Sequence, residues 1–222
     1  MNGKTATIIG VTGLTGGYLY ELLKQDNSFE TIRLIVRRPM SKDDPRTQMK
    51  LVDFDDAESL LLAIDGSRVV FCAIGTTNKK VKGNKEAYRK VDYDIPVKAA
   101  RFCKMAGCET FVLVSSVGAN SKSGNSYLKL KGEVEDAVKE TGLNSVHIMR
   151  PSMLLGERKE FRLGEKIGKG VMTAFSFLIP SKFKPIHARD VAKAMLVAAK
   201  EKREGFVVYE YGIMKKLITK SN

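Results

Sequence analysis

The sequence predicts an α/β fold in which a doubly wound parallel sheet carries helices on both faces. Strand-like and helix-like segments alternate through most of the chain, as they do in parallel sheets connected by helices. Strand-like runs such as VVF and FVLV are apolar without interruption, which is typical of strands covered on both sides. A glycine-rich turn follows the first strand directly. For a chain of 222 residues we expect a single domain, 1–222.

Short apolar runs rich in β-branched residues are predicted to form the strands. These strands lie at 5–10, 31–38, 48–54, 67–75, 109–116, 144–150 and 206–211. Segments with apolar residues three and four apart are predicted to form the helices. These helices lie at 17–24, 60–64 (the end of a helix), 86–106, 127–140 and 189–201. Pro96 is a candidate kink, and the less regular stretch 152–185 is predicted to be a small lid over the sheet.

The distribution of charge and the length of the apolar runs limit the kinds of partner that we expect. The formal net charge is +13, but the basic residues are scattered, so a nucleic-acid partner is not expected. The densest basic cluster is interpreted as a solvated surface, with attraction of an anion as the alternative. It comprises Lys79, Lys80, Lys82, Lys85, Arg89 and Lys90. No apolar run is long enough to span a bilayer, so no membrane partner is expected. The oligomeric state stays open between monomer and homodimer.

The three cysteines indicate the redox environment in which the protein resides. Cys72, Cys103 and Cys108 lie in apolar surroundings without the spacing of metal ligands. We interpret them as reduced core thiols, which predicts a cytoplasmic protein without a metal site.

The turn after the first strand has the pattern of a dinucleotide-binding loop. GVTGLTGG places Gly10, Gly13 and Gly16 three residues apart, between a strand and a helix. Glycines at this position let the backbone approach a pyrophosphate, and the helix N-terminus offers unpaired N–H groups. The predicted loop also includes Thr12, Leu14 and Thr15. The alternative is a tight strand–helix turn that binds nothing.

The end of the second strand indicates which dinucleotide binds. NAD-selective sites place an acidic residue about 20 residues beyond the glycines, where it binds the ribose 2′-hydroxyl. Here IVRRP puts Arg37 and Arg38 in that region. A guanidinium can bind a phosphate with two hydrogen bonds, so we expect NADP, with NAD less favoured. If both arginines only face solvent, the cofactor preference stays open.

Three tyrosines precede a lysine by four residues, so this spacing alone does not identify a catalytic pair. The pairs are Tyr20 with Lys24, Tyr127 with Lys131, and Tyr211 with Lys215. On a helix, residues four apart share one face. Only Tyr127 begins a predicted helix soon after a strand that ends in Ser-Ser.

Taken together, the motifs resemble those of the short-chain dehydrogenase/reductase superfamily, and most closely its atypical, epimerase-related branch. Within that branch the chain is similar to small NADP-binding oxidoreductases of the Tat-interacting-protein group. The shared motifs span nearly the whole chain: GVTGLTGG, VRRP, VDFDD, FCAIGTT, VDYDIPVKAA, LVSSVGA, YLKLKGEVE, RPSMLLGER and HARDVAKAM. The resemblance implies a Rossmann-type fold and an NADP(H)-dependent enzyme that reduces a small carbonyl substrate.

The resemblance also implies the catalytic residues. Hydride transfer to a carbonyl creates an alkoxide that must be protonated, and Tyr127 is the expected proton donor. The Lys131 ammonium is expected to stabilise the phenolate and to bind the nicotinamide ribose. Ser116 is predicted to polarise the substrate oxygen, with Ser115 close to the cofactor. The alternative is that both serine hydroxyls only satisfy backbone groups at the end of the strand.

Further cofactor contacts are implied at the ends of other strands. They are Asp53 and Phe54 at the adenine, Ala73, Ile74, Gly75 and Thr76 beside the adenosine ribose, and Arg150, Pro151 and Ser152 near the nicotinamide carboxamide. Two other functions stay open. One is an NADP(H)-sensing regulatory binding protein with little or no turnover. The other is a relative of the nucleotide-sugar epimerases and dehydratases.

Overall fold

A computed structural model describes residues 4–41, 43–77, 79–156, 180–201 and 203–220. Its strands are β1 (Thr5–Ile9), β2 (Thr31–Val36), β3 (Thr47–Leu51), β4 (Val69–Cys72), β5 (Thr110–Val114), β6 (Ser145–Met149), β7 (Leu154–Leu155), β8 (Ile186–His187) and β9 (Gly205–Tyr209). Its α-helices are α1 (Leu14–Lys24), α2 (Ala57–Ile64), α3 (Lys85–Arg89), α4 (Ile95–Met105), α5 (Ser126–Lys139), α6 (Ala188–Lys200) and α7 (Tyr211–Lys220).

The predicted doubly wound parallel sheet is confirmed. Seven strands lie side by side in the order β3-β2-β1-β4-β5-β6-β9, and every neighbouring pair is parallel. The strand order reverses direction between β1 and β4. In such sheets ligands bind outside the carboxyl ends of the strands at this reversal. We therefore expect a ligand site at the loops that follow β1 and β4.

Alternate residues of each central strand serve two separate cores. In β4, Phe71 packs into the cluster formed with α1, α6 and α7, whereas Val70 and Cys72 pack into the cluster formed with α2, α4 and α5. Successive side chains of a strand point to opposite faces, so a continuous apolar run is needed to fill both layers. This explains why these strands read as unbroken apolar segments.

The predicted helix at 86–106 is interrupted. A π-helical segment, Lys90–Asp94, lies between α3 and α4. Pro96 occupies the start of α4 and has no N–H to donate to the carbonyl of Asp92, four residues earlier. A π-helical turn is a common response to such a break and often marks a functional site.

The predicted end of the chain needs a correction. The last strand ends at Tyr209 and is followed by α7, a helix that the sequence reading did not predict. Met214, Leu217 and Ile218 of α7 are buried in the core cluster that includes residues of α1 and α6, so the helix belongs to that layer. Among the described helices, none combines the length and apolar character needed to cross a membrane. The predicted lid falls largely on 157–179, outside the described residues.

Candidate active site

The glycine turn packs so closely that two of its glycines cannot be replaced without moving backbone. Gly10 has a φ of +94°, and a Cβ there would lie 2.6 Å from the backbone nitrogen of Ile74. A Cβ on Gly16 would lie 2.2 Å from the carbonyl oxygen of Gly10. Gly13 is the N-cap of α1, and no side chain caps this helix. The first amides of α1 are thus left for an anionic group, as in a pyrophosphate-binding turn.

A cavity of about 860 Å³ lies at this edge of the sheet, within the size range of ligand pockets. Its walls come from the glycine turn, the end of β4, the π-helical segment, the end of β5 and α5. Many of the predicted site residues line it: Thr12, Gly13, Leu14, Thr15, Ala73, Ile74, Gly75, Thr76, Ser115, Tyr127 and Lys131. Thr77 also lines the cavity, as do residues that were not predicted: Gly17, Tyr18, Glu21, Lys80, Asp92, Val114 and Leu154.

The structure separates the three tyrosine–lysine pairs. Tyr20 is a buried residue of α1, and its hydroxyl is 2.9 Å from the hydroxyl of Thr47, which indicates a packing role. Tyr211 begins α7. Of the three tyrosines, Tyr127 alone is among the described residues that line the cavity.

Tyr127 stands in the first turn of α5 because Asn125 caps that helix. The Asn125 side-chain oxygen accepts hydrogen bonds from the amides of Tyr127 (3.0 Å) and Leu128 (3.1 Å). The Tyr127 side chain is 41% exposed, whereas Lys131 is only 6% exposed. The Lys131 ammonium lies 6.0 Å from the centre of the Tyr127 ring. A phenol at the mouth of a cavity and an ammonium at its base therefore share one helix face.

Asp92 is the main site residue that the sequence reading missed. It lies in the π-helical segment and is 2% exposed. One carboxylate oxygen is 2.8 Å from the Lys131 ammonium, and the other accepts the amide of Thr76 at 2.7 Å. The sequence offered two hints, since Asp92 lies in the shared motif VDYDIPVKAA and stands four residues before Pro96. Neither hint identifies its partner.

The two serines lie in different surroundings. The Ser115 hydroxyl donates to the buried carboxylate of Glu135, and Ser115 lines the cavity. Ser116 is also buried, and its hydroxyl makes a long contact of 3.4 Å to the carbonyl of Val117. Among the described residues that line the cavity, Ser115 occurs and Ser116 does not. The assignment of Ser116 to the substrate oxygen stays a prediction.

The predicted nicotinamide-side residues form part of the scaffold. The Arg150 guanidinium makes a two-pronged ion pair with Glu135, with N–O distances of 3.0 and 3.1 Å from Nε. This carboxylate raises the pKa of Arg150. The carbonyl of Pro151 accepts the Val117 amide, and the Ser152 hydroxyl donates to the carbonyl of Lys184. None of the three is among the described residues lining the cavity.

The predicted adenosine-side residues lie at the same edge of the sheet. Arg37 and Arg38 are exposed and follow β2 directly. Phe54 is buried, whereas Asp53 is exposed and its carboxylate accepts the amide of Asp55 at 2.9 Å. Because β3, β2 and β1 are parallel neighbours, the residues after each strand lie side by side. None of these four residues is among the described residues that line the cavity.

Comparison with protein families finds one model, described as NAD(P)H-binding, that matches residues 10–202. Protein HTATIP2 of Rattus norvegicus is 34% identical over 172 residues, covering 76% of this chain and 70% of the relative. A Debaryomyces hansenii protein named "Protein FMP52, mitochondrial" is 36% identical over 206 residues, covering 89% and 88%.

Solved structures share the fold at low identity. MoeE5 in complex with UDP-glucose and NAD superposes with a TM-score of 0.69 at 15% identity, covering 99% of this chain and 82% of that one. A UDP-N-acetylglucosamine 4-epimerase from Methanobrevibacter ruminantium has a TM-score of 0.71 at 17% identity, covering 99% and 81%. At this identity the likeness concerns the fold alone.

The predicted cytoplasmic location is contradicted by the fungal relatives. Similar proteins from Debaryomyces hansenii, Candida albicans and Saccharomyces cerevisiae all carry "mitochondrial" in their names. Cys72, Cys103 and Cys108 are free and buried, which argues against an oxidising compartment. The prediction of a cytoplasmic location was wrong because free thiols do not distinguish one reducing compartment from another.

Proposed function

The chain belongs to the NAD(P)H-binding family, as an atypical short-chain dehydrogenase/reductase, and from that premise we propose that it reduces a small carbonyl compound with NADPH. One observation carries the proposal. The Tyr127 phenol and the Lys131 ammonium line the same cavity as the glycine turn. A proton donor and a cofactor cradle in one cavity are what carbonyl reduction requires.

The residues that would hold the dinucleotide fit the task. Gly10 and Gly16 leave no room for a Cβ because each packs against backbone, and this close packing gives the tight strand–helix turn that a pyrophosphate site uses. The uncapped start of α1 supplies amide donors. The exposed guanidinium groups of Arg37 and Arg38 lie beyond β2, where a 2′-phosphate would be recognised. We therefore propose NADP rather than NAD.

The protein itself supplies position and a proton. When bound, the nicotinamide supplies the hydride. Tyr127 donates a proton to the oxygen of the substrate, and the partial exposure of its side chain allows it to be reprotonated from solvent. Lys131 stabilises the negative charge that appears on the phenol oxygen. The Ser115 or Ser116 hydroxyl is proposed to orient the carbonyl oxygen beside the phenol.

The test is a panel of small aldehydes and ketones, with NADPH oxidation followed by absorbance. Wild-type protein should oxidise NADPH with at least one of them. Tyr127→Phe should bind NADPH normally and lose turnover by about 100-fold or more, the range of general acid catalysis. Tyr211→Phe is the matched control, because Tyr211 also precedes a lysine by four residues but lies on α7. Equal turnover in the wild type and Tyr127→Phe would refute the proposal.

A second candidate, an NADP(H)-sensing binding protein, is favoured by one observation. The Ser116 hydroxyl contacts the backbone of Val117. Ser116, which was predicted to polarise the substrate, is not among the described residues lining the cavity. Tight NADPH binding without turnover on any carbonyl would favour this candidate. For the location, we propose mitochondria, which import of a tagged full-length chain into isolated mitochondria would test.

A further inference from the structure

Asp92 joins two walls of the cavity. Its Oδ1 atom lies 2.8 Å from the Lys131 ammonium on α5, and its Oδ2 atom accepts the Thr76 amide at 2.7 Å beyond β4. Asp92 and Lys131 are 2% and 8% exposed at the side chain. Both oxygens of one carboxylate are therefore used as acceptors for groups that line the cavity.

The position of Asp92 is set by the break in its helix. The π-helical segment ends where α4 begins, and Pro96 cannot donate to the carbonyl of Asp92. The carbonyl and the side chain of Asp92 thus belong to a turn that departs from the regular helix. Such a turn places a side chain where a continuous α-helix would not.

Other charges near the ammonium do not replace this carboxylate. The Cys72 thiol is buried nearby, and burial raises its pKa to about 12, so it stays neutral at ordinary pH. Glu135 lies one turn further along α5, but Arg150 holds it in an ion pair. Asp92 is accordingly the acid that is paired with Lys131.

A purely structural role explains this pair poorly. Removing two charges from water costs about as much as their attraction returns, so a buried ion pair adds little net stability. The pair does, however, restrict where the ammonium can sit. A lysine side chain has four flexible carbon links, and one fixed partner removes most of that freedom.

We propose that Asp92 is a positioning residue that fixes the Lys131 ammonium for the bound dinucleotide, and that this task requires a carboxylate. The inference rests on the proposed function and on the expected binding of the nicotinamide ribose by Lys131. The side-chain amide that Asp92→Asn introduces would fail because it has a single acceptor oxygen. That oxygen could accept either the Thr76 amide or the ammonium, and the NH2 group beside it would face the other donor.

The test is a double-mutant cycle on NADPH binding, followed by the fluorescence of NADPH. Asp92→Asn should weaken binding by about 10- to 100-fold, the loss expected for one hydrogen bond to a charged group. In a Lys131→Met background the same change should alter affinity less than about 2-fold, because the introduced side-chain amide can then turn its oxygen to Thr76. Asp94→Asn, in the same π-helical segment, should leave binding unchanged.

Each result decides the question. A similar loss in both backgrounds would show that Asp92 acts independently of Lys131, and an unaltered affinity in Asp92→Asn would equally overturn the proposal. If Asp92→Asn does not fold, Lys131→Met and the double variant still test it, because a further tenfold loss in the double variant contradicts it. No substrate is needed, so an absence of carbonyl reduction would refute the proposed function and leave this inference standing.

Discussion

Gly16 is the position of the glycine turn where an added methyl group has the least room. A Cβ there would lie 2.2 Å from the carbonyl oxygen and 2.7 Å from the carbonyl carbon of Gly10. Both are backbone atoms, and Gly10 itself rests against the backbone of Ile74. Rotation of a side chain therefore cannot relieve the clash. Gly16→Ala must therefore shift α1 relative to β1.

The size of the effect follows from that shift. Restoring an ordinary contact requires a movement of about 1 Å, and overpacking of this kind typically costs about 1–3 kcal/mol. Alanine recovers about 1 kcal/mol through its better helix propensity. We expect a net loss of about 2 kcal/mol in the free energy of unfolding, because the rigid neighbours place the overpacking cost at the upper end of that range. A displacement of about 1 Å in the cradle should also weaken NADPH binding by about 10- to 100-fold, the loss expected for one hydrogen bond from the turn to the charged pyrophosphate.

Gly17→Ala is the matched control. Gly17 is the next residue of α1, and among the described residues the nearest atom to a Cβ there is the Val11 carbonyl oxygen, at an ordinary 3.5 Å. Its stability should stay within about 1 kcal/mol of the wild type or rise. Urea unfolding and NADPH titration of both variants provide the measurement. If Gly16→Ala were as stable and bound NADPH as tightly as Gly17→Ala, the packing argument would be wrong.

Two further predictions concern charge. Replacing Arg37 and Arg38 with alanine should weaken the binding of NADPH by about 10- to 100-fold and that of NADH by less than about 3-fold. The control Arg101→Ala, on α4, should affect the binding of neither cofactor. Equal losses for both cofactors in binding titrations would contradict the assignment of the two arginines to the 2′-phosphate. Burial lowers the pKa of His147 to about 4 from 6.5, so its neutral form contributes stability that is complete above pH 6.5 and is lost as pH falls towards 4. Over that interval the free energy of unfolding, measured with urea, should fall by up to about 3 kcal/mol less for His147→Gln than for the wild type. Parallel pH curves for the two proteins would contradict this.

The sheet and the glycine turn were predictable because their signals are local. Continuous apolar runs report burial on both faces, and the spacing of Gly10, Gly13 and Gly16 between a strand and a helix reports a close turn. Helix α7 was missed because the aromatic run FVVYEY continues past the real end of β9 at Tyr209. Its apolar residues Met214, Leu217 and Ile218 had helical spacing, which a longer window would have detected.

The pairing of Asp92 with Lys131 was not predictable by the same means. The two residues are 39 positions apart, and only the fold brings their side chains to 2.8 Å. The sequence could not decide between Ser115 and Ser116 for a related reason. Adjacent residues at the end of a strand face opposite ways, and a shift of one residue exchanges their surroundings. The partner of Ser115, Glu135, is likewise 20 positions away.

The central claim is that a hydride passes from the cofactor to a carbonyl carbon beside Tyr127, and isotope transfer tests it most directly. NADPH carrying deuterium at the transferable C4 position would be incubated with the wild type and an aldehyde or ketone that it turns over. The account predicts deuterium on the carbinol carbon of the product, formed about 100-fold or more slowly by Tyr127→Phe. Product without deuterium, or equal labelling rates in both proteins, would contradict it.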